Sequence, residues 1–241
     1  MLLKIGLYHR CTPHNTIIRT AGSYRTMNTD LLFDAWSNGD WMFAGPYDDW
    51  FISGRIGRMA PVNYICPIDK MPSTNRKDTP IRICCSATSK AKGVDAFVRV
   101  TNQLINGRHD VERVLIDGQS WKDSIAAKTS CHITFDQFML KHAANSAIES
   151  MYLGHTVVSD IRSWCRMIHP DLPVISAGTE DELYKTIVGL VENKELSRIG
   201  KEGKDYVLKH HSPTVVAEQW KYLIDHVANE KNDRQVYSVV R

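Results

Sequence analysis

Cys131-His-Ile-Thr-Phe-Asp136-Gln-Phe-Met-Leu-Lys141-His-Ala-Ala-Asn145-Ser-Ala-Ile-Glu149-Ser-Met-Tyr-Leu-Gly154-His-Thr-Val-Val158-Ser-Asp160 is the stretch that decides the fold. It reads as strand, loop, short helix, strand. Ile133 to Phe135 is a brief apolar run that Asp136 ends. A polar loop follows, with Asn145 or Ser146 as the helix cap. Ala147, Ile148, Met151 and Tyr152 recur at helical spacing, Gly154 stops the helix, and Thr156 to Val158 resumes a β-branched run. In such a unit the helix N-terminus lies near the C-terminal edge of the sheet, where its N–H groups and dipole favour an anion. Glu149 falls about one turn into this helix. A carboxylate there is placed to accept hydrogen bonds from ribose hydroxyls, as the acidic residue does in dinucleotide folds.

The neighbouring sequence repeats the alternation. Upstream, Ile81 to Cys85 is a strand, Ser86 to Lys92 a small-residue and basic loop, and Val94 to Ile105 a helix ended by Gly107. Val111 to Ile116 is a strand turned by Asp117-Gly118, and Trp121 to Lys128 is a helix. Downstream, Leu172 to Ser176 is a strand. Thr179-Glu180-Asp181-Glu182 opens a capped helix to about Glu192. Further helices run from about Lys194 to Lys209 and from Pro213 to about Asn229. Strands alternating with helices predict a parallel sheet covered on both faces, with ligands beyond the strand C-termini. The loops at Ser86 to Lys92, Asp117 to Ser120 and Asp136 to Asn145 converge on that rim.

The first part of the chain is less regular. Leu2 to Tyr8 reads as a buried strand and His9 to Asn15 as a polar loop containing His14. Thr16 to Trp36 is mostly helical in pattern, Ser37 to Asp40 a turn, Trp41 to Gly45 a strand and Val62 to Cys66 another. Asp48 to Arg58 mixes apolar residues with glycine breaks. Lys70 to Pro80 is polar, carries two prolines and has no periodicity, so the domain boundary is expected there.

Composition narrows the classes. The 241 residues are 43% hydrophobic and 24% charged, as in an ordinary globular protein. A net charge of +3 with no basic block argues against nucleic acid. The six cysteines include no Cys-x-x-Cys pair, which argues against zinc, and they sit in or beside apolar runs as reduced thiols do. The expected setting is reducing and cytoplasmic, without a signal peptide. No apolar run approaches the ~20 residues of a membrane span.

Three segments resemble the retaining glycosyltransferases of group 1 (family 4), which have the GT-B fold. Lys92-Gly93-Val94-Asp95 resembles the family's Lys-Gly-Val-Asp at a helix start. Asn145-Ser-Ala-Ile-Glu149-Ser-Met-Tyr-Leu-Gly154-His-Thr-Val-Val158 resembles its Glu-Ala-Met-Ala-x-Gly-x-Pro-Val-Val segment, and Asp136-Gln137 is similar to a strand end in some members. Gly178 to Trp220 resembles its C-terminal tail. The resemblance covers roughly residues 60–225. It implies an α/β protein of two Rossmann-like domains, with parallel sheets flanked by helices. Residues 1–75 would form a short acceptor-side domain, 76–212 the donor domain, and 213–241 a helix returning to the first domain.

The resemblance also implies roles. Lys92 would hold the donor diphosphate, with Lys90 as helper. Glu149 would bind the ribose. Asn145 and Ser146 would offer donors to the phosphate, and Gly118 would let the backbone approach the nucleotide. Ser89, Ala147 and His142 complete the implied donor surface, and His14 is the candidate catalytic group of the first domain. Three departures stand out. Ala87-Thr88-Ser89 occupies the region where the family carries an arginine. Lys141 stands where the family has the first of two paired glutamates, and His142-Ala143-Ala144 replaces a Gly-rich turn. The first domain is also short for the family.

The expected activity is transfer of a sugar from a UDP- or GDP-sugar to an acceptor hydroxyl with retention. The nucleotide sugar is then substrate rather than cofactor. No Asp-x-Asp motif supplies a metal site, so metal independence is expected. The acceptor would be a sugar, glycan or glycoprotein. The alternatives are a non-catalytic sugar-nucleotide-binding subunit, which the departures favour, and a sugar-nucleotide epimerase of similar fold.

Overall fold

The structure, a computed structural model, describes residues 8–12, 15–20, 23–27, 42–44, 59–61, 63–86, 92–107, 109–138 and 142–233. Backbone contacts divide the chain into two units, Met1–Tyr64 with Thr214–Arg241, and Ile65–Pro213.

The larger unit is built on a five-stranded sheet. Its strands are β6 (Ile81–Ser86), β7 (Val111–Ile116), β8 (Ile133–Phe135), β9 (Thr156–Ser159) and β10 (Val174–Ser176). Every pair is parallel, and the order across the sheet is β10-β9-β8-β6-β7. Between them run α1 (Val94–Asn106), α2 (Trp121–Lys128), α3 (Asn145–Tyr152) and α4 (Ser163–Ile168). After β10 come α5 (Glu180–Glu192) and α6 (Leu196–His211).

Alternation in β6 shows how the sheet is covered. Ile83 and Cys85 join a core with Phe97, Val100 and Leu104 of α1 and Leu183, Ile187 and Leu190 of α5. Cys84, between them, packs on the other side with Ile116 and Cys131. Successive strand residues must face opposite ways, so a strand that buries apolar residues on both sides belongs in a sheet covered on both faces. Ile133 and Phe135 of β8 follow Ile83, and the Phe97 and Phe135 rings stack at 5.6 Å between centroids. α6 lies on α3 so closely that Gly200 meets the Gly154 carbonyl. Cys66, Cys84, Cys85, Cys131 and Cys165 are all buried reduced thiols.

Most expected elements of this unit are present. The strand expected over 172–176 begins only at Val174, and α4 was not anticipated. The cap of α3 also differs. Ala144, with extended backbone, is the N-cap residue and caps through no side chain, while Asn145 and Ser146 are already helical. Segment 71–80 has neither helix nor strand and lies in the second unit. Arg76 anchors it by donating to the Leu153 and Gly154 carbonyls, beyond the end of α3.

In the first unit, β1 (Tyr8–Thr12), β2 (Asn15–Thr20) and β3 (Ser23–Met27) form an antiparallel sheet in that order. β4 (Met42–Ala44) and β5 (Met59–Pro61) pair in parallel. Helix over 16–36 is thus corrected to strand over 15–20 and 23–27. The run Thr16-Ile17-Ile18 is β-branched, and pairing with both neighbours rewards it more than helical spacing does. The loop expected over 9–15 likewise gives way to β1. The strand expected over 62–66 lies earlier, at β5, whose residues pair with β4. Apart from Tyr8, the strand expected over 2–8 lies outside the described residues, as do the segments at 37–40 and 48–58. α7 (Pro213–Asp233) starts on proline, which suits a first helical position. Within this unit the Asn63 N–H donates to Gln219 Oε1 at 3.1 Å. Among the described residues no helix is long and apolar enough to cross a membrane.

Candidate nucleotide site

The sheet order dictates where a cleft opens. From β6 the chain passes to β7 on one side, then returns to β8 on the other. β6 and β8 therefore connect to helices on opposite faces of the sheet, and the crevice between their C-terminal ends is the switch point where open α/β sheets take ligands.

Two charged residues meet there. Asp136 directly follows β8, and its backbone N–H donates to the Val158 carbonyl at 2.9 Å. Lys92 closes the loop after β6 and precedes Gly93, whose φ of +75° belongs to the left-handed region. A side chain at 93 would be strained and would press on Phe138, with Cβ 2.8 Å from the ring. Gly93 thus lets α1 start against Phe138. Lys92 Nζ donates to Asp136 Oδ1 at 2.9 Å, and both residues are buried. Burial works against the Lys92 charge, but the Asp136 carboxylate, through its charge and hydrogen bond, holds the ammonium above its ordinary pKa. The other Asp136 oxygen accepts from the Ala144 N–H at 2.9 Å, so one carboxylate ties the loop after β6 to the start of α3.

A second cluster lies along α3. Lys128, at the end of α2, is only 1% exposed. Its Nζ donates to Ser146 Oγ at 2.8 Å and to the Ser146 carbonyl at 3.2 Å, and lies 3.7 Å from Glu149 Oε2. Ser146 Oγ donates to Ser86 Oγ, at the end of β6, at 3.3 Å. Glu149 Oε1 accepts from Trp121 Nε1 at 2.9 Å, and Trp121 as a whole residue is 40% exposed. The two clusters are joined by the first turn of α3, whose leading N–H groups have no acceptor within the helix.

Of the residues singled out from sequence, Glu149, Ser146, Asn145 and Ala147 share α3, and Lys92 stands at the switch point. Ala147 is buried in packing, whereas Asn145 is half-buried. His142 is buried, with Nδ1 3.0 Å from the Ala143 carbonyl, and its own carbonyl accepts from Gln137 Nε2. Gly118 is exposed on the rim after β7, with φ +62° and no atom near the position of a Cβ. His14, Ser89 and Lys90 lie outside the described residues. Sequence reading missed Asp136, Lys128 and Trp121 as site residues. Asp136 had a visible signal, an acid ending an apolar strand on the ligand edge. Trp121 had a weaker one, an aromatic beside the polar rim loop 117–120.

No known family description matches the chain, and no curated protein sequence does. Solved structures do match. Sucrose-phosphate synthase from Thermosynechococcus elongatus superposes with a TM-score of 0.61 at 13% identity, covering 85% of this chain and 63% of that one. TarM of S. aureus, solved with UDP, gives 0.62 at 14% identity over 85% of this chain and 48% of its own. HepE from Anabaena, solved with UDP and glucose, gives 0.58 at 11% over 83% and 67%. The chain thus spans less than two thirds of the length of the first two. At such identities the likeness defines the fold, and that fold is the GT-B fold of glycosyltransferases.

Proposed function

We propose that the protein is a glycosyltransferase that moves a sugar from a nucleotide-diphospho-sugar to an acceptor hydroxyl with retention. The observation that carries this reading is the buried Lys92–Asp136 pair at the switch point, beside the first turn of α3. The N–H groups of that turn suit a phosphate. Lys92, neutralised at rest by Asp136, supplies preorganised positive charge where the leaving diphosphate gains negative charge. In this reading the bond from anomeric carbon to diphosphate oxygen breaks. The acceptor oxygen attacks the same face, and its proton passes to the departing diphosphate. That HepE and TarM were solved with UDP favours a uridine nucleotide. With cationic and N–H groups facing the diphosphate, the reaction is assigned no metal. The buried thiols suit a reducing compartment, and the location that goes with this reading is the cytoplasm.

A second reading is a nucleotide-sugar-binding subunit without turnover. The internal pairing of both Lys92 and Glu149 favours it. Release of sugar from UDP-glucose and GDP-mannose separates the two, since slow hydrolysis is expected of a transferase and none of a binding module. Lys92→Met should lower that turnover on the order of 10²-fold while raising the donor Kd by less. The wild-type rate should survive EDTA. If the folded protein binds neither UDP nor GDP in calorimetry, both readings fail.

A further inference from the structure

We infer that Trp121 is the platform on which the base of the bound nucleotide stacks. The inference rests on the nucleotide reading above and extends it to a residue that the sequence did not single out.

Three groups follow one another through helix α3 and a hydrogen bond. One end is the start of α3, tied to Asp136 through the Ala144 N–H. Glu149 lies four residues beyond Asn145, about 6 Å further along the helix at ordinary rise. That is close to the step from a diphosphate to the middle of its ribose. The next group outward is the Trp121 indole, held by its N–H to Glu149 at 2.9 Å. A base attached to that ribose extends by one ring beyond it. The rim there leaves room, because Gly118 is exposed with nothing around the position of a Cβ.

The indole itself fits the task. An aromatic side chain with no ligand to cover it is normally buried further, yet Trp121 is 40% exposed while its one polar atom is satisfied. The hydrogen bond uses the N–H edge of the ring, while two fifths of the residue stays exposed to solvent. Its partner is fixed in turn, because Glu149 is buried and paired with the equally buried Lys128, which grips Ser146. The ring is thus anchored through three side chains to the helix that would hold the phosphates. Stacking on a fixed indole is favourable for any base, since every base offers a π-face. Trp121 is therefore an affinity residue, and the choice between uracil and guanine rests on other groups.

The test is calorimetry of UDP, GDP and inorganic pyrophosphate with the wild-type chain, Trp121→Ala and Trp121→Phe. Wild type should bind UDP or GDP more tightly than pyrophosphate. Trp121→Ala should lose about tenfold or more of that nucleotide affinity and none of the pyrophosphate affinity. Trp121→Phe lacks the N–H but keeps a ring, and should retain most of it. Near-UV circular dichroism checks that each variant is folded. Unchanged nucleotide affinity in Trp121→Ala overturns the inference. So does a Phe variant as weak as the Ala variant, which would make the bond to Glu149 the point, or an equal loss for pyrophosphate. A wild-type chain that binds pyrophosphate but no nucleotide overturns it while sparing the anion site. One that binds none of the three overturns the nucleotide reading together with it.

Discussion

A lysine ammonium taken out of water needs a carboxylate beside it, and a buried carboxylate needs both oxygens hydrogen-bonded. Lys92 and Asp136 meet both needs at once, with the Ala144 N–H taking the second oxygen. Removing one partner leaves the other charge stranded, at a cost of about 3–5 kcal/mol. Lys92→Met should therefore lower unfolding free energy by about that amount in urea titration. The double variant Lys92→Met/Asp136→Asn should regain part of it, because an amide oxygen still accepts from Ala144. A double variant as unstable as the single one would show that the charge pair is not what matters. The folded pKa of Lys92 is raised, so this contribution is complete below the ordinary lysine value and fades only as pH climbs through the raised one. The same measurement at pH 6 and pH 8 should give the same difference. At this scale the sequence showed Lys92 and Glu149 through motif and position. It did not show that each is paired, because Lys92 and Asp136 lie 44 residues apart and meet only through strand order.

The contact of α6 with α3 turns on glycine. A Cβ on Gly200 would lie 2.1 Å from the Gly154 carbonyl oxygen, and one on Gly203 would lie 3.2 Å from Met151 Cβ. The obstacle at Gly200 is backbone and cannot swing aside, so Gly200→Ala must push the helices apart. The cost expected is about 1–3 kcal/mol, typical of overpacking, read as a lower urea midpoint with unchanged slope. Gly189 in α5 is the control, since its nearest outside atom is Asn193 Nδ2 at 3.9 Å. Gly189→Ala should be neutral or stabilising by up to about 1 kcal/mol. Equal loss at both positions would contradict the close packing. Elements of the second unit were legible because each apolar run carries one clear period and a stop signal, as at Gly107 and Gly154. The first unit was not, because the spacing of Ile17, Ile18 and their neighbours fits a helix as well as a strand. Only pairing with β1 and β3 decides between them.

At the scale of the whole molecule, the second unit begins and ends at one point. The Cys66 N–H donates at 2.9 Å to the carbonyl of His211, the last residue of α6. A unit whose ends meet, and which carries its own two-sided core, should fold by itself. Residues 65–213 expressed alone should unfold cooperatively in urea and keep near-UV circular dichroism. A fragment lacking both would show that this core depends on the rest of the chain. The five buried thiols of this unit lead further. Burial pushes Cys66 and Cys85 up to about 12 and Cys165 to about 11, so these three are scarcely thiolate at neutral pH. A reagent such as iodoacetamide can reach these sulfurs only during the moments when the domain gapes. Mass added over hours then counts those moments one by one. The cysteines work as a stopwatch sealed inside the sheet, timing how often the domain comes apart in undisturbed solution.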